Sequence, residues 1–473
     1  MSNSPLATTD ALAQLSSDLQ DVVSADQLIT ATVELEPYSH DWWPLAAKKA
    51  QLDEHDHMPD IAVKVKAVDD VAAVLRYASK RGVPVTTRAL GSSVTGQPLP
   101  SRGGILLDVT GLTGTPVIDA INHTVTVPAA VRGDDLEAYV REQGFTLGHS
   151  PQSLNRSSAG GWVATFATGQ LSSRYGGIED LVVGYTVVLA DGRTVKLEAR
   201  PRAAVGTDLR QIFIGSEGTL GVITEVVLKI FPVPETSIVE AFTLPSVRAG
   251  IDAIRTLAQS GLRPSLVRLY DETEARHATG RDDLGLPVLF LGNEGIDSVA
   301  RAEHAAAIEL IGDLGAKSLG AEPVEGWLGR RYDFSTVESY LNASGGYAET
   351  IEIAGRWSEI AAIYDALTGA LAPLADEVLG HFSHIYNQGT SLYVILLGHT
   401  TDNRTAAERI EEIWKVAMTT TLANGGELSH HHGSGLARKP YIGLLDEGAA
   451  SVARDLKRAF DPAGVLNPGK LFD

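Results

Sequence analysis

The chain has 473 residues, a formal net charge of −20 and no cysteine. Without thiols it can form no disulfide, no cysteine-ligated iron–sulfur cluster, no cysteine nucleophile and no cysteinyl link to a cofactor. The acidic balance argues against a nucleic-acid partner, which requires a basic face. The apolar share of 44% and the charged share of 21% are typical of a globular protein, and the length corresponds to about three domains.

No stretch of the sequence has the features of a targeting or membrane segment. Residues 1–26 lack a basic region followed by an apolar run, and the final LFD is not a peroxisomal signal. The longest apolar stretches, such as 392–397, are far shorter than the roughly 20 residues that span a bilayer. We therefore expect a cytoplasmic protein without a transmembrane segment.

Residues 1–57 are polar but show helical spacing, which predicts an accessory helical lead-in. Between residues 58 and 235, short strands alternate with helices, and Gly82 is placed to end one of these helices. The pair Asp191-Gly192 predicts the turn of a β-hairpin. Segments rich in small residues adjoin strand-like sequence at 88–96, 151–180 and 215–224.

A strand-helix-strand-strand-helix pattern occurs twice in the second half of the chain, over residues 238–314 and 350–423. The repetition predicts two halves of one antiparallel sheet that is covered by helices on one face. We therefore assign residues 236–427 to a separate α+β domain. Residues 428–473 follow as a C-terminal segment with a helix and a turn-rich end.

The segment 88–96 has the character of an anion-binding loop. Its small residues allow backbone N–H groups to converge, which suits a pyrophosphate even in an acidic protein. It is neither a GxGxxG turn that opens a helix nor a Walker A loop, so a bound dinucleotide would need a fold other than the Rossmann fold. Alone, the segment is equally consistent with a plain connector, but three such segments in one region favour one extended ligand over separate turns.

The order of these motifs resembles that of a flavoprotein family. The matching sequences are RALGSSVTG, PQSLNRSSAGGWVATFATGQLSSRYGGIEDLVVG, PRAAVGTD and GSEGTLGVITEVVLKIFP, followed by ELSHHHGSGLARKPY and FDPAGVLNPGKL. Together they resemble the PCMH-type FAD-binding domain of the vanillyl-alcohol-oxidase family. Within it, the motifs are similar to those of alkyldihydroxyacetonephosphate synthase and its bacterial FAD-linked oxidase relatives.

The resemblance implies an α+β fold, with a two-subdomain PCMH-type FAD-binding domain at 58–235 and a helix-covered antiparallel cap sheet at 236–427. Residues 428–473 would return to the flavin site. Non-covalent FAD is expected, because Ser92 stands where relatives with histidyl-FAD carry histidine and because no cysteine is present. The residues implied to bind FAD are Arg88, Ala89, Leu90, Gly91, Ser92, Ser93, Val94, Pro151, Ser153, Gly160, Gly161, Thr165, Gly169, Ser172, Tyr175, Glu217, Gly218, Gly221 and Ile223.

The run His430-His431-His432 is open to three interpretations. It could lie in a surface loop. It could bind zinc, although consecutive side chains in an extended segment point in alternate directions and rarely converge on one ion. The family resemblance instead implies a place beside the flavin, where imidazoles polarise a substrate oxygen or carry its proton.

Tyr393 and His384 are the implied companions of the histidine run, on two strands of the cap. Related 2-hydroxyacid dehydrogenases bind a metal through two histidines and a glutamate, but here Tyr393 and His431 occupy two of those positions. The resemblance therefore implies no catalytic metal, and a tyrosine like that of the ether-forming synthase. A core aromatic residue on an apolar strand is the alternative for Tyr393.

The substrate contacts are implied less directly. Counting back from residues 350–354, Glu338 stands where relatives of the synthase carry an arginine for a substrate phosphate, which would favour a neutral substrate. A shifted register, with Arg330 or Arg331 at the site, is the alternative. Arg202 and Arg268 remain candidate contacts for an anionic substrate.

These observations predict an FAD-dependent oxidoreductase that oxidises a small alcohol, hydroxy acid or amine by hydride transfer to flavin N5. Oxygen or an external acceptor would then reoxidise the flavin. Ether-bond formation through a flavin N5 adduct, as in alkylglycerone-phosphate synthase, is the alternative within the family. A metal-dependent hydrolase built on His430–His432 and a catalytically inert binding protein are alternatives from other classes. The cap helices could pair two subunits into a homodimer.

Overall fold

The first sheet joins the start of the chain to the predicted α/β region. The computed structural model describes residues 9–471, so residues 1–8 of the predicted lead-in and residues 472–473 of the predicted C-terminal segment lie outside the described residues. Numbered in chain order, the first elements are α1 Thr9–Gln20, β1 Leu28–Ile29, α2 Thr32–Leu35, α3 Pro44–Ala50, β2 Ile61–Lys64, α4 Val68–Arg81, β3 Val85–Arg88 and β4 Ile105–Asp108. Strand β1 runs antiparallel to β2, while β2, β4 and β3 are parallel, in the order β1-β2-β4-β3.

Helix α4 forms where the sequence predicts a helix. Its buried residues Val71, Val74, Leu75 and Ala78 recur at helical spacing and pack in the core beneath the first sheet. Each fully buried Val or Leu contributes about 1.5–3 kcal/mol relative to an exposed one. The helix ends at Gly82, whose φ of 69° is left-handed, as expected for a C-terminal glycine.

The second sheet completes the predicted FAD-binding region. Its surroundings comprise β5 Val117–Asp119, β6 Thr124–Pro128, α5 Gly133–Glu142, β7 Phe145–Thr146, α6 Ala159–Thr165, α7 Ser172–Tyr175, α8 Ile178–Leu181, β8 Val182–Val188, β9 Thr194–Leu197, α9 Arg210–Phe213, β10 Val222–Lys229 and β11 Phe231–Pro232. Five strands are antiparallel in the order β5-β6-β10-β8-β9, and β7 pairs with β11. Strands β8 and β9 form the predicted hairpin, with Gly192 at φ 78° in the turn.

The cap contains both predicted strand-helix-strand-strand-helix units and some elements that the pattern does not predict. Its elements are β12 Thr236–Thr243, α10 Val247–Gln259, β13 Leu266–Tyr270, α11 Glu272–Thr279, β14 Val288–Gly295, α12 Asp297–Gly312, β15 Lys317–Gly320, α13 Glu322–Arg330, α14 Ser335–Asn342, β16 Gly346–Arg356, α15 Ile360–Leu371, β17 Glu377–Ile385, β18 Gly389–His399 and α16 Asn403–Ala423. The unpredicted ones are α11, β15, α13 and α14. The last helices of the chain are α17 Lys439–Ile442 and α18 Glu447–Phe460.

One antiparallel sheet of seven strands carries the cap, in the order β15-β12-β14-β13-β17-β18-β16. The two predicted units meet where β13 pairs with β17. Because side chains alternate along a strand, one face of the sheet buries Val267, Leu269, Phe382, Leu392 and Val394 against helices α10, α12, α15 and α16. The opposite face packs Leu266 and Phe290 against α11 and α13, and Ala348 and Leu379 against α14, so helices lie on both faces and not on one face as the repeat predicts. This second face also carries polar groups.

The start of the chain is not a detached lead-in. Strand β1 extends the first sheet, and Trp42 and Pro44 reach the main cavity of the molecule. The buried Lys48 donates hydrogen bonds to the Ala343 carbonyl at 2.9 Å and to Asn403 Oδ1 at 3.2 Å. These contacts tie residues 42–51 to the cap.

Candidate active site

One cavity lies between the three glycine-rich segments and the polar face of the cap sheet. The predicted residues that line it in the FAD-binding region are Ala89, Leu90, Gly91, Ser92, Ser93, Val94, Pro151, Ser153, Gly160, Gly161, Thr165, Glu217, Gly218, Gly221 and Ile223. The predicted residues that line it from the cap and the C-terminal segment are Arg268, His384, Tyr393, His431 and His432. Thus the structure brings the three loops and the histidine run to a single site.

A row of polar side chains crosses the cap sheet beneath this cavity. Tyr270, His381, Tyr393 and Glu352 stand directly opposite one another on strands β13, β17, β18 and β16. They share one face because each occupies the same register position of an antiparallel ladder. The rings of His381 and Tyr393 stack with centroids 4.4 Å apart.

Glu352 fixes the histidine loop. Its carboxylate is fully buried and accepts hydrogen bonds from the backbone N–H groups of His430 at 2.7 Å and His431 at 2.8 Å. Arg438, also buried, donates to Glu352 Oε2 at 3.2 Å and to the Leu428 carbonyl at 2.6 Å. The loop backbone is therefore held by one buried ion pair, which orients the three imidazoles.

The phenol of Tyr393 is hydrogen-bonded to this loop. Its oxygen lies 2.6 Å from His431 Nε2, and His431 Nδ1 lies 2.7 Å from His430 Nδ1. His430 Nε2 in turn lies 2.7 Å from the Tyr386 hydroxyl. His430 does not line the cavity itself but connects the lining residue His431 to Tyr386.

Burial sets the protonation of these groups. It lowers the pKa of His430 to about 3, with a further contribution from His431, and it likewise lowers the pKa of His432 to about 3. Burial and the charge of Glu352 raise the pKa of Tyr393 well above 10. At neutral pH the two imidazoles are therefore uncharged and the phenol keeps its proton.

Glu352 is the charged member of the cluster. Burial acts to raise its pKa, but the interactions with His431, His432 and Arg438 outweigh that effect and hold the pKa well below 4.5. One oxygen or ring nitrogen from each of Glu352, His430 and His431 lies within 4.8 Å of the others. Because the Glu352 oxygens already accept backbone N–H groups, we interpret the trio as a hydrogen-bonded cluster and not as metal ligands.

His384 reaches the cavity through an irregularity in β17. The strand register shifts between Ser383 and Ile385, and His384 has a left-handed φ of 55°. Such a bulge redirects one side chain out of the regular alternation. Ser172, predicted to line the flavin, is buried beneath the cavity instead and contacts His384 Nδ1 at 2.9 Å.

Arg268 is a buried cation that lines the cavity on β13. Its Nε donates to the Tyr270 hydroxyl at 2.8 Å, and its Nη2 lies 2.9 Å from His381 Nε2. His381 Nδ1 lies 2.9 Å from Glu274 Oε2. Glu274 therefore contacts the guanidinium only through the imidazole of His381. Arg268 makes no direct ion pair with it and remains a positive group beside Tyr393.

Four predicted cofactor residues do not line the cavity, namely Ser172, which contacts His384, and Arg88, Gly169 and Tyr175. The Arg88 side chain turns away and donates to the His40 carbonyl at 2.9 Å. Gly169 packs so closely on the backbone of Ser150 that an added Cβ would lie 2.4 Å from its nitrogen. The Tyr175 ring packs on Gly148, and its hydroxyl donates to Glu294 at 2.6 Å.

Of the three predicted substrate contacts, Arg268 lines the cavity, whereas Glu338 and Arg202 do not. Helix α14 borders it through Val337 and Leu341, but Glu338 is not a lining residue and pairs with Arg156 at 3.1 Å. That carboxylate faces a guanidinium, so it does not present an unpaired negative charge to the cavity. Arg202 lies in an exposed segment away from the cavity.

The alternative register does not bring an arginine to the cavity either. Arg330 donates to the Ala278 carbonyl and Arg331 to the Leu328 carbonyl, and neither lines the cavity. Arg156 does line it, held between the rings of Trp42 and Phe334 at 4.3 Å from each centroid. The cation at this edge of the cavity therefore comes from the second glycine-rich segment.

Sequence reasoning missed several functional neighbours. Glu352 and Arg438 carry the histidine loop, and Tyr386 extends its hydrogen-bond chain. The available signal was a lone glutamate in the apolar strand sequence TIEIA, since a carboxylate in such a strand is seldom buried without a partner. For Arg156 and Trp42 the sequence offered no comparable signal.

The arrangement defines a flavoprotein fold of the PCMH type. Solved structures of alkyldihydroxyacetonephosphate synthase superpose with a TM-score of 0.80 at 23% identity, covering 98% of this chain and 85% of that chain. The structure of p-cresol methylhydroxylase with substrate bound gives a TM-score of 0.83 at 15% identity, covering 99% of this chain and 98% of that chain. At these identities the likeness establishes the fold alone.

Family models match most of the sequence. Residues 59–198 match a model described as FAD binding domain, and residues 233–471 match one described as FAD linked oxidases, C-terminal domain. The chain belongs to the family of FAD-linked oxidases and is an FAD enzyme. This membership removes the hydrolase built on His430–His432 as an interpretation.

Individual relatives align with nearly the whole length of this chain. The chain is 32% identical to "Uncharacterized FAD-linked oxidoreductase YgcU" of Escherichia coli (strain K12), over 96% of this chain and 97% of the relative. It is 27% identical to the alkyldihydroxyacetonephosphate synthase of Dictyostelium discoideum, over 90% and 75%. It is 25% identical to the glycolate oxidase subunit GlcD of Bacillus subtilis (strain 168), over 89% and 90%. Within residues 9–471, no helix is long and apolar enough to span a membrane.

The cavity of this chain fits FAD on two observations. Three buried polar atoms of lining residues accept or donate no hydrogen bond, namely Thr87 Oγ1, Arg156 Nη1 and His432 Nδ1. The backbone is also bare at Gly161 and Gly218, where an added Cβ would meet only the Ser158 hydroxyl at 3.2 Å and Thr87 atoms beyond 3.7 Å. A large polar cofactor binds where polar atoms still lack hydrogen-bond partners and where the backbone can be approached closely.

Proposed function

We propose that this protein oxidises a small hydroxylated substrate, an alcohol or a hydroxy acid, in the cavity between its FAD-binding region and its cap. The observation that carries the proposal is the hydrogen bond of 2.6 Å between the Tyr393 hydroxyl and His431 Nε2 at the cavity wall. A phenol paired with an imidazole is suited to take the proton of a hydroxyl group. The named relatives include a glycolate oxidase subunit, which is consistent with a hydroxy acid.

The residues proposed to hold FAD are those of the three glycine-rich loops that line the cavity. Residues 89–94, 160–165 and 217–223 would contact it mainly through small side chains and backbone. Bound FAD supplies a hydride acceptor. Because Ser92 lines the cavity and the chain has no cysteine, we propose that FAD is held without a covalent bond.

Tyr393 and His431 are proposed to act together as the base. Burial raises the pKa of Tyr393, so the phenol is protonated at rest and cannot act as a free phenolate. It donates its proton to His431 Nε2 while it accepts the proton of the substrate hydroxyl. The Glu352 carboxylate lies 3.3 Å from His431 Nδ1, so a negative group stands beside the imidazole that receives the proton.

Arg268 is proposed to stabilise negative charge on the substrate. Its guanidinium lines the cavity on the strand beside His381, and its partners there are a neutral phenol and an imidazole. A buried cation favours an oxygen that becomes negative as its proton leaves. It would also attract a carboxylate, which favours a hydroxy acid over an amine.

The test is anaerobic mixing of the holoenzyme with panels of alcohols, hydroxy acids and amines, with the flavin absorbance as readout. We expect bleaching by members of the first two panels. Tyr393→Phe should slow that bleaching by about 10²- to 10⁴-fold. Tyr364→Phe is the matched control, because Tyr364 donates to Asp271 on the side of the cap sheet that packs against α15. Full-speed bleaching in the Tyr393 variant would exclude the proposed base.

Ether formation is the second candidate, because relatives named alkyldihydroxyacetonephosphate synthase match about nine-tenths of this chain. Such an exchange of an acyl for an alkyl group involves no net oxidation. The two candidates are separated by product analysis with an acylated ketone phosphate and a fatty alcohol. An ether product without consumption of an electron acceptor would favour the synthase.

A further inference from the structure

Four side chains form a continuous hydrogen-bonded chain that leads away from the cavity. Tyr393 lines the cavity and contacts His431 at 2.6 Å, His431 contacts His430 at 2.7 Å, and His430 contacts Tyr386 at 2.7 Å. Every separation is that of a strong hydrogen bond. These four side chains contact one another directly, without a gap that would need a bridging water molecule.

The far end of the chain lies at a different surface of the molecule. Tyr386 borders a second depression, together with Ser173, Arg263 and Asn387. None of these residues lines the main cavity. Tyr386 and Tyr393 are both partly exposed, but Tyr393 lines the main cavity and Tyr386 lines the second depression, so the four side chains connect the two.

The ring nitrogens permit two assignments of hydrogens in which both imidazoles are neutral, and the two run in opposite directions along the four side chains. In the outward assignment every donor points away from the cavity. The Tyr393 hydroxyl donates to His431 Nε2, His431 Nδ1–H donates to His430 Nδ1, and His430 Nε2–H donates to the Tyr386 oxygen. Each imidazole then carries one hydrogen and is neutral. The Tyr386 hydroxyl hydrogen remains free to point towards the outer depression.

We infer that Tyr393, His431, His430 and Tyr386 form a proton relay that carries the proton of the substrate hydroxyl to the outer depression. This inference rests on the proposed function. Oxidation of the substrate would release a hydride from its C–H bond, which bound FAD would accept, and a proton from its O–H bond, which Tyr393 takes. Tyr393 passes its own proton to His431, His431 passes one to His430, and His430 passes one to Tyr386, which releases a proton outward. One O–H bond is broken at the substrate and one proton leaves, so the balance closes.

The surroundings of the chain explain why a relay is needed. Burial lowers the pKa of His430 and His432 to about 3 and lowers that of His384 well below its usual value. None of these imidazoles can store the proton at neutral pH. Glu179 lies near the outer end, where its charge acts on Tyr386, and burial raises the pKa of Glu179 to about 7. A carboxyl with that pKa is suited to exchange protons with the solvent.

The test replaces Tyr386 by phenylalanine, which keeps the ring and removes the outer hydroxyl. In the holoenzyme we expect flavin reduction to slow by about tenfold or more and release of the proton to an indicator dye to slow equally. Added imidazole, as a diffusible proton carrier, should restore both rates. The wild type and Tyr364→Phe should show neither the loss nor the rescue.

A second measurement does not depend on turnover. In protein with ¹⁵N-labelled histidine, long-range proton–nitrogen correlation should show His431 protonated at Nδ1 and His430 at Nε2. Tyr386→Phe should move the His430 Nε2 resonance. Other tautomers, or unchanged proton release in the variant, would overturn the relay. If no substrate reduces the wild-type flavin, the proposed oxidation fails, while the tautomers still test the hydrogen-bonded chain.

Discussion

At the scale of single residues, the site is a set of neutral groups arranged around the buried ion pair of Glu352 and Arg438 and around the buried cation Arg268. Glu352 is held charged by the histidine loop and Arg438, and Arg268 faces the cavity from the neighbouring strand pair. Tyr393 stands next to Glu352 in the row across the sheet, and Arg268 lies two residues from Tyr270 at the other end of that row. This placement lets a proton move towards Glu352 while negative charge on the substrate stays near Arg268.

Replacing Arg268 by methionine should discriminate between charged and uncharged substrates. A charge-assisted hydrogen bond contributes about 1.5–3 kcal/mol, so KM for a hydroxy acid should rise by about 10- to 100-fold. KM for an uncharged alcohol should change much less. Arg268→Lys keeps the charge but loses the planar fork and should give an intermediate value. Steady-state kinetics with both substrates measure this.

The control for that comparison is Arg301→Met, which removes an exposed arginine on α12 that pairs with Asp297. It should leave both KM values unchanged. Equal increases for the acid and the alcohol in Arg268→Met would mean that Arg268 supports the site without contacting the substrate's charge.

At the scale of elements, most of the fold can be predicted from the sequence. Apolar alternation and turn residues give the strands of the cap, because one face of its sheet must be buried against helices. The bulge at His384 cannot be predicted in this way, since it depends on the register between β17 and β18. Glu352 escapes prediction for the same reason, because its partners lie on a loop far along the chain.

The loop after the histidines depends on glycines with left-handed backbone. Gly435 has φ 53°, and an added Cβ would lie 2.1 Å from the Thr95 carbonyl oxygen. Gly435→Ala should therefore shift the loop that carries His430–His432, lower the thermal midpoint and slow flavin reduction. Backbone strain alone costs about 1–2 kcal/mol, and the clash adds to it.

Gly425→Ala separates strain from the clash. Gly425 has φ 79°, but an added Cβ there would meet nothing closer than a Glu359 carbon at 3.9 Å. This variant should lose some thermal stability and keep its rate of flavin reduction. If both variants reduce flavin equally fast, the position of the loop is not what limits the site.

At the scale of the whole molecule, three separate parts of the chain meet at one cavity. The start of the chain contributes Trp42, the glycine-rich loops contribute their backbone, and the cap and C-terminal segment contribute the polar cluster. The interface is itself hydrogen-bonded, since Glu217 accepts from the Ser434 and Gly435 N–H groups. Domain boundaries, cytoplasmic location and a homodimer remain predictions.

Buried carboxyl groups in all these parts should make stability fall as the pH rises. Burial raises the pKa of Asp41 to about 6, of Glu179 and Asp271 to about 7, and of Glu349 to about 8. In the unfolded chain these groups titrate near 4, so between that pH and about 8 the folded state binds more protons. Their contribution is fully present below pH 4 and is lost as the pH rises through the folded pKa values. Glu352, whose pKa is lowered, affects the pH dependence of stability only below about pH 4.5.

The buried histidines act in the opposite sense up to about pH 6.5, because burial lowers the pKa of His430 and His432 to about 3 and the unfolded chain binds more protons there. We therefore expect the thermal midpoint of the protein to decline from about pH 7 to about pH 9, and Glu349→Gln to flatten that decline. Glu349 accepts hydrogen bonds from the Thr350 N–H and the Trp414 indole N–H, so a neutral amide keeps only one of the two acceptors. The variant should have a lower thermal midpoint than the wild type at pH 5, but its midpoint should fall less as the pH rises. Glu309→Gln, at an exposed position of α12, should reproduce the wild-type slope. Parallel slopes for wild type and Glu349→Gln, measured with and without FAD, would show that Glu349 does not titrate in this range.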